Sequence, residues 1–351
     1  MSRAYLVLED GKAFEGVSFG AEGEAVGEVV FTVGGMCGYL ETLSDPAFAG
    51  QIVVQTFPLI GNYGTIEEDL ESNCFPAAYI VRECCEEPSN FRCEGRLSEL
   101  LKAKGVVALH SVDTRALTAY IRKNGVVNAK VCKEIPADTA EIKAHSRKIA
   151  LADVSTGGKQ ILPEGEQRFN ITVIDCGIKK SIIEQLVRFG CNVTVVDCNT
   201  PAGLIKATRP DGLVIGGGPE GAYGCETVIE DIRYLIGSLP MLGIGLGHQL
   251  MAVAMGGTLT KMSVGHRGAQ TVKNSETGEC YTTAQNHGLE VVEGTVNGAK
   301  AFMVNLNDGS IEGLEYVGKR AFSVQFYPEV YGAPRDGSFV YRRLFDLIRG
   351  V

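Results

Sequence analysis

The sequence predicts an α/β fold in two parts: an N-terminal α+β half, and a C-terminal half with a mostly parallel sheet flanked by helices. Three observations predict it. Short apolar runs broken by Gly- and Pro-rich turns fill the first half, followed by two amphipathic helices. Apolar runs alternate regularly with helical patterns in the second half. Between them, 154-STGGKQILPEGEQ-166 is rich in Gly, Pro and polar residues, as a linker is. The expected boundaries are 1–153, a linker at 154–168, and 169–351.

In the first half, residues 4–8, 28–32 and 51–56 read as strands, 97–104 and 114–123 as helices, and 57-FPLIGNYG-64 as a connection. In the second, 170-NITVIDC-176 is a continuous apolar strand and 179-KKSIIEQLVRFG-190 an amphipathic helix closed by Gly190. Strand 192-NVTVVD-197, a short helix, strand 211-DGLVIGG-217, a helix over 226–236, strand 241-MLGIG-245 and a helix from His248 to about Met255 follow. Parallel sheets bind ligands at the carboxyl ends of their strands. The Gly-rich turns 215-IGGGPEG-221 and 243-GIGLGHQ-249 fall there.

The 351 residues, 45% hydrophobic and 21% charged, suffice for two cores of an ordinary globular protein. A net charge of -9 argues against gripping nucleic acid or an anionic membrane through bulk charge. MSRAYLVLEDGK is too short in apolar residues for a signal peptide, and no run approaches the roughly 18 apolar residues of a membrane span. The expectation is a cytoplasmic chain. Its 11 cysteines form no CxxC pair and no Cys/His cluster at zinc spacing, so reduced thiols and no metal site are expected.

The stretch 216-GGGPEG-221 matches G-x-G-x-x-G but fails as a dinucleotide fingerprint. It follows the third strand of its half, puts Pro219 and Glu220 where a pyrophosphate would sit, and has no acidic partner about 20 residues on. The stretch 241-MLGIGLGHQL-250 has the form of a strand-to-helix elbow, the turn that presents a Ser or Cys nucleophile in many hydrolytic folds. Its apex is Gly245, which has no side chain to attack with. Local sequence leaves an elbow and a plain tight turn equally open.

The run 322-FSVQFYPEVYGAPRD-336 separates them. Here the chain resembles the small, glutamine-hydrolysing subunit of carbamoyl phosphate synthetase, over nearly its whole length. That family carries G-I-C-L-G-H-Q at the elbow and a downstream H-P-E in a class I glutamine amidotransferase domain; here these read 243-GIGLGHQ-249 and 327-YPE-329. Further matches are 175-DCGIKKSI-182, 213-LVIGGGP-219, 265-GHRGA-269 and 283-TAQNHG-288. In the N-terminal domain specific to the synthetase small subunit they are 38-GYLETLSDP-46, 57-FPLIGNYG-64 and 112-VDTRAL-117.

The resemblance implies a Cys that attacks the glutamine amide, a His that takes its proton and protonates the leaving ammonia, and a Glu that orients the His. It also implies a large partner subunit that uses the ammonia and itself binds ATP and metal, leaving no cofactor in this chain. Of the triad positions, Gly245 and Tyr327 depart from the family and only Glu329 matches it. A phenol of pKa about 10 is no general base near neutrality, and losing a triad nucleophile costs roughly a millionfold in turnover. Among substrate-binding positions, Gly218, Leu246, Gln249, Asn286 and Gly288 match. Ala47 replaces a Ser, Leu289 an aromatic, and Glu220 a Gly, the last adding negative charge where the acyl group and its oxyanion would sit. One engineered Cys-to-Gly change would explain Gly245 alone, not Tyr327, Ala47 and Glu220 together in separate segments. Cys225, His248 and His287 lie near the site in sequence, but packing and loop hydrogen bonding are their expected roles.

The expected function is therefore a small subunit without glutaminase activity, a structural or regulatory partner of an ammonia-using large subunit, as the family's urea-cycle synthetases exemplify. Two alternatives stand beside it. One is a stand-alone pseudoenzyme holding a different small amino acid or amide, with Glu220 pairing a cationic group. The other is a repurposed enzyme on the same scaffold.

Overall fold

A computed structural model describes residues 2–33, 38–163, 165–221, 224–329 and 335–350. Cys37 lies outside these, as do residues 330–334 of the C-terminal run. The chain divides into two compact units, Met1–Lys148 and Ile149–Val351.

The first unit is a closed barrel. Ordered around it, the strands are Arg3–Leu8, Ala13–Ser18, Val107–His110, Ala78–Ile80, Gln51–Gln55, Ala25–Thr32 and Val127–Cys132. Closure removes the free edges that an open sheet of short strands would expose. Alternate residues such as Leu6, Leu8, Val29, Ile52, Val54, Leu109 and Ala129 fill one cluster inside the unit, joined by Leu117 and Ile121 of the helix Thr114–Asn124. That helix is capped by Asp113, whose carboxylate accepts the Ala116 N–H at 2.9 Å.

The second unit is built on one ten-stranded sheet. Its centre is parallel, in the order Cys191–Asp197, Phe169–Asp175, Gly212–Ile215, Met241–Ile244 and Ala321–Val324. These strands are apolar along nearly their whole length because both faces are covered. One face packs Ile205, Val228, Ile232, Leu250 and Met251 from the helices Ala202–Ala207, Glu226–Leu235 and Leu246–Ala254. The other packs Ile182, Ile183 and Leu186 of Lys180–Arg188 with Val340, Tyr341, Leu344 and Phe345 of Phe339–Arg349.

Two features were not foreseen. Beyond Ala321–Val324 the sheet continues as an antiparallel wing of Ile311–Tyr316, Ala299–Asn305, Leu259–Asn274 and Cys280–Val291. At the opposite edge Lys159–Ile161, inside the stretch expected to be linker, pairs antiparallel with Cys191–Asp197. Three residues of edge strand carry too little apolar pattern to be told from a loop. Four loops leave the carboxyl ends of the central parallel strands together: 176–179, 216–221, the turn at 245, and 325–329.

Candidate functional site

Gly245 caps the helix Leu246–Ala254 with φ 58° and ψ -114°. A side chain is strained there by about 1–3 kcal/mol, whereas glycine adopts the conformation freely. The Gly245 N–H donates to the Val324 carbonyl at 3.0 Å, tying the turn to the next strand. The helix starts hard against the sheet: a Cβ at Gly247 would lie 2.2 Å from the Ile215 carbonyl oxygen. The turn therefore has the elbow shape, with nothing at its apex. A Cβ at 245 would meet the Gly217 Cα at 3.6 Å and Tyr327 Cε1 at 3.8 Å, which are ordinary contacts. Gly218 stands beside Leu246, whose Cδ2 would lie 3.4 Å from a Cβ added at 218.

Tyr327 is thus at the elbow, as its place in the sequence implied. Its ring is buried in the apolar cluster with Ile244 and Phe326, and its N–H donates to the Ala284 carbonyl at 2.9 Å. What the ring faces is a cation. Lys179 Nζ lies 4.4 Å from its centroid and 2.7 Å from Glu329 Oε1. The side chains of Lys179 and Glu329 are 7% and 1% exposed, so the pair is desolvated. The Glu329 carboxylate is therefore held by an ammonium. Asp175 builds the loop that delivers Lys179: its Oδ1 accepts the Gly177 and Ile178 N–H groups at 2.9 and 2.8 Å. Its Oδ2 accepts the Thr156 N–H at 2.7 Å.

The Glu220 carboxylate lies against the antiparallel wing. Oε2 accepts the Leu289 N–H at 2.7 Å and the Gly288 N–H, and Oε1 lies 3.4 Å from Arg267 Nη2. The charge expected against an oxyanion is answered by Arg267 and two backbone donors, and the cation expected from a ligand is supplied by the chain itself. Leu289 is fixed from its other side, where its carbonyl receives His287 Nδ1 at 2.9 Å and Gln249 Nε2 at 3.4 Å. Gln249 also donates to Gln325 Oε1 at 3.1 Å. Asn286 sits opposite Arg267 in the register of the wing hairpin.

The structure therefore gathers Gly218, Glu220, Gly245, Leu246, Gln249, Gly288, Leu289, Tyr327 and Glu329 at one end of the second unit, with Asn286 on the adjoining hairpin. Ala47 belongs to the first unit. Its N–H donates to Asp45 Oδ1 at 2.9 Å and its carbonyl accepts Arg147 Nη2 at 2.6 Å.

In the same wing as Gly288 and Leu289, which lie in the strand Cys280–Val291, the residues His266, His287 and Glu312 bring ligand-type atoms within 4.8 Å of one another. Hydrogen bonds already engage these atoms. His266 Nδ1 meets Gln285 Oε1 at 2.9 Å and Glu312 Oε1 at 3.1 Å, its Nε2 meets Asp308 at 2.8 Å, and His287 Nε2 meets Gln285 at 3.0 Å. Burial opposes the charged form of His266, but hydrogen bonding and charge from Glu312 and Asp308 outweigh it and raise its pKa. For His287 burial dominates and lowers the pKa. Burial likewise pushes the Cys225 thiol up to about 11, and pushes His248, bonded to Ser323 Oγ at 2.8 Å, down to about 4. A thiol so protonated and an imidazole so weakly basic are poor nucleophile and base.

Lys179 and Arg267 are the two site residues that sequence reasoning missed. Both lay in plain view, in 175-DCGIKKSI-182 and 265-GHRGA-269, but nothing local marks a basic residue as buried.

The parallel sheet, the elbow at a strand end and the loops gathered around it define the second unit as a class I glutamine amidotransferase domain, and the family model described as glutamine amidotransferase class-I matches residues 172–347. Residues 6–131 match the CPSase domain of the carbamoyl-phosphate synthase small chain. The chain belongs to the carbamoyl-phosphate synthase small chain family. It is 40% identical over 371 residues to the carbamoyl phosphate synthase small chain of Syntrophotalea carbinolica, covering 99% of this chain and 98% of that one. It is 40% identical over 352 residues to the carbamoyl phosphate synthase pyrimidine-specific small chain of Halalkalibacterium halodurans, covering 98% and 96%. To the small chain of Archaeoglobus fulgidus it is 39% identical over 358 residues, covering 99% of each. Among the described residues, no helix is long and apolar enough to cross a membrane.

Proposed function

We propose that this chain is a carbamoyl phosphate synthase small chain without glutaminase activity, acting as a structural or regulatory partner of a large subunit that uses free ammonia. The observation that carries the reading is the elbow. Its backbone keeps the conformation that presents a nucleophile, and the apex is Gly245.

Two further contacts support it. Tyr327 presents a ring where a general base would have to reach the apex, and Glu329 is engaged by Lys179. Acyl transfer from glutamine needs a nucleophile, a base and an orienting carboxylate acting as a unit, and losing one member removes nearly all the benefit of the others. On this reading ATP and metal belong to the large subunit and this chain holds no cofactor. Residues 1–153 are the family-specific domain that would contact that subunit, and residues 169–351 the unarmed amidotransferase domain.

The stand-alone alternative loses its motive, because the cation for Glu220 is already Arg267. The deciding experiment is carbamoyl phosphate synthesis by this chain co-expressed with its large-subunit partner, supplied with glutamine or with ammonium. Synthesis with ammonium alone is expected. Synthesis with glutamine overturns the loss of glutaminase activity, and failure of the two chains to associate overturns the partnership.

A further inference from the structure

Two adjacent backbone N–H groups and a guanidinium that converge on one point make a carboxylate-binding site. Gly288, Leu289 and Arg267 do this in the second unit. The carboxylate they hold is the chain's own: Glu220 Oε2 takes both N–H groups and Oε1 faces Arg267 Nη2 at 3.4 Å. The side chains of Arg267 and Glu220 are 5% and 14% exposed. Arg267 Nε, also buried, has no hydrogen-bond partner among the described residues, so Glu220 is the carboxylate that compensates this guanidinium. The fit is close, since a Cβ at Gly288 would come within 3.0 Å of Glu220 Oε1 and 3.2 Å of Arg267 Nη2.

We propose that Glu220 is an internal ligand: its carboxylate fills, in cis, a site formed by Gly288, Leu289 and Arg267 that would otherwise take the carboxylate of a free amino acid. Leu289 lies next to the elbow loops, in contact with Gln249 and within 3.6 Å of a Cβ built at Gly221. An amino acid reaching the elbow with its carboxylate on this site must therefore displace Glu220. The displaced carboxylate would leave the charge of Arg267 for water, and the incoming one must repay that exchange before it gains anything. A tethered carboxylate also competes at an effective concentration in the millimolar range or above. Glu220 is thus a specificity-determining residue that excludes free carboxylates. This deepens the reading of the chain as glutaminase-inactive, adding a block to substrate that is separate from the missing nucleophile.

The test is binding of sodium acetate and of L-glutamine to the full chain, followed by NMR at the Gly288 and Leu289 amides. Wild type, Glu220→Ala and the double variant Glu220→Ala/Arg267→Met are compared. Wild type is expected to show no saturable shift. Glu220→Ala should bind both probes with a Kd of about 1–10 mM, the strength of a few charge-assisted hydrogen bonds, and the double variant should lose at least about tenfold of that affinity. Equal binding by wild type and Glu220→Ala, or none by a folded Glu220→Ala, overturns the proposal. Should Glu220→Ala not fold, Glu220→Gln keeps the shape and removes the charge. Acetate is then expected to slow amide exchange at residues 288 and 289 in Glu220→Gln and not in wild type, and no effect in either overturns the proposal. Acetate has no amide to hydrolyse, so its binding reads this site even if wild type proves to be a glutaminase.

Discussion

Lys179 Nζ stands 2.7 Å from Glu329 Oε1, with both side chains almost fully buried and the ring of Tyr327 against the ammonium. A buried ion pair does little net work for stability while intact, but is costly to break from one side. Lys179→Met is expected to destabilise the chain by about 3–5 kcal/mol, because it strips the Glu329 carboxylate of its ammonium. Lys179→Met/Glu329→Gln should recover much of that loss. Urea unfolding of the three proteins measures it, and a double variant less stable than Lys179→Met would contradict the pairing.

Gly245→Cys probes the elbow itself. The added Cβ has room, with its nearest neighbour at 3.6 Å, so the cost should come from the positive φ alone. A loss of about 1–3 kcal/mol is expected, read as a lower urea midpoint with an unchanged m-value.

On the proposed function, Gly245→Cys/Tyr327→His would restore two triad positions. Glutaminase turnover is expected to stay near background, because Lys179 still holds Glu329 and Glu220 still fills its site. Adding Glu220→Gly should raise kcat/KM by about tenfold or more, the worth of ~1.4 kcal/mol of substrate binding. Full activity in the two-residue revertant would show that neither contact matters.

Gly247→Ala places a methyl 2.2 Å from the Ile215 carbonyl oxygen, a backbone atom with no rotamer to yield. The helix must move off the sheet, at about 3 kcal/mol or more. Thermal unfolding of this variant beside Gly245→Cys should show the larger drop for Gly247→Ala.

His248 makes acid sensitivity predictable. Burial lowers its folded pKa from 6.5 to about 4, against the smaller opposing pull of Glu312. Below pH 6.5 the unfolded chain takes up a proton that the folded chain refuses until near pH 4. Stability is therefore full above that window and falls as pH drops through it, by about 3 kcal/mol in all. His248→Gln should lose correspondingly less stability between pH 7 and pH 4.5, compared by urea unfolding at both. Identical pH dependence in the two proteins would remove His248 as the cause.

The central parallel strands were legible because burial on both faces writes a continuous apolar run, as in 170-NITVIDC-176. The wing was not. Leu259–Asn274 buries His266, Arg267 and Asn274 through polar contacts, so no apolar alternation announces a strand. The same distinction runs through the site. Gly245 and Tyr327 are visible as gaps in a motif. Lys179 and Arg267 acquire meaning only from carboxylates 150 and 47 residues away, and no local rule foretells which lysine or arginine will be buried by a distant partner.

The apex at 245 has a consequence for redox chemistry. An elbow thiolate, activated for attack on an amide, is also the group that peroxide and alkylating reagents reach first, and its oxidation beyond the sulfenic state is irreversible. Here the elbow offers no sulfur, and burial raises the pKa of Cys176, Cys191, Cys198 and Cys225 in the same unit. The elbow of this cysteine-rich chain therefore offers an oxidant no sulfur, and on the function proposed above a large subunit using free ammonia would keep its supply under conditions that silence a glutamine-fed one.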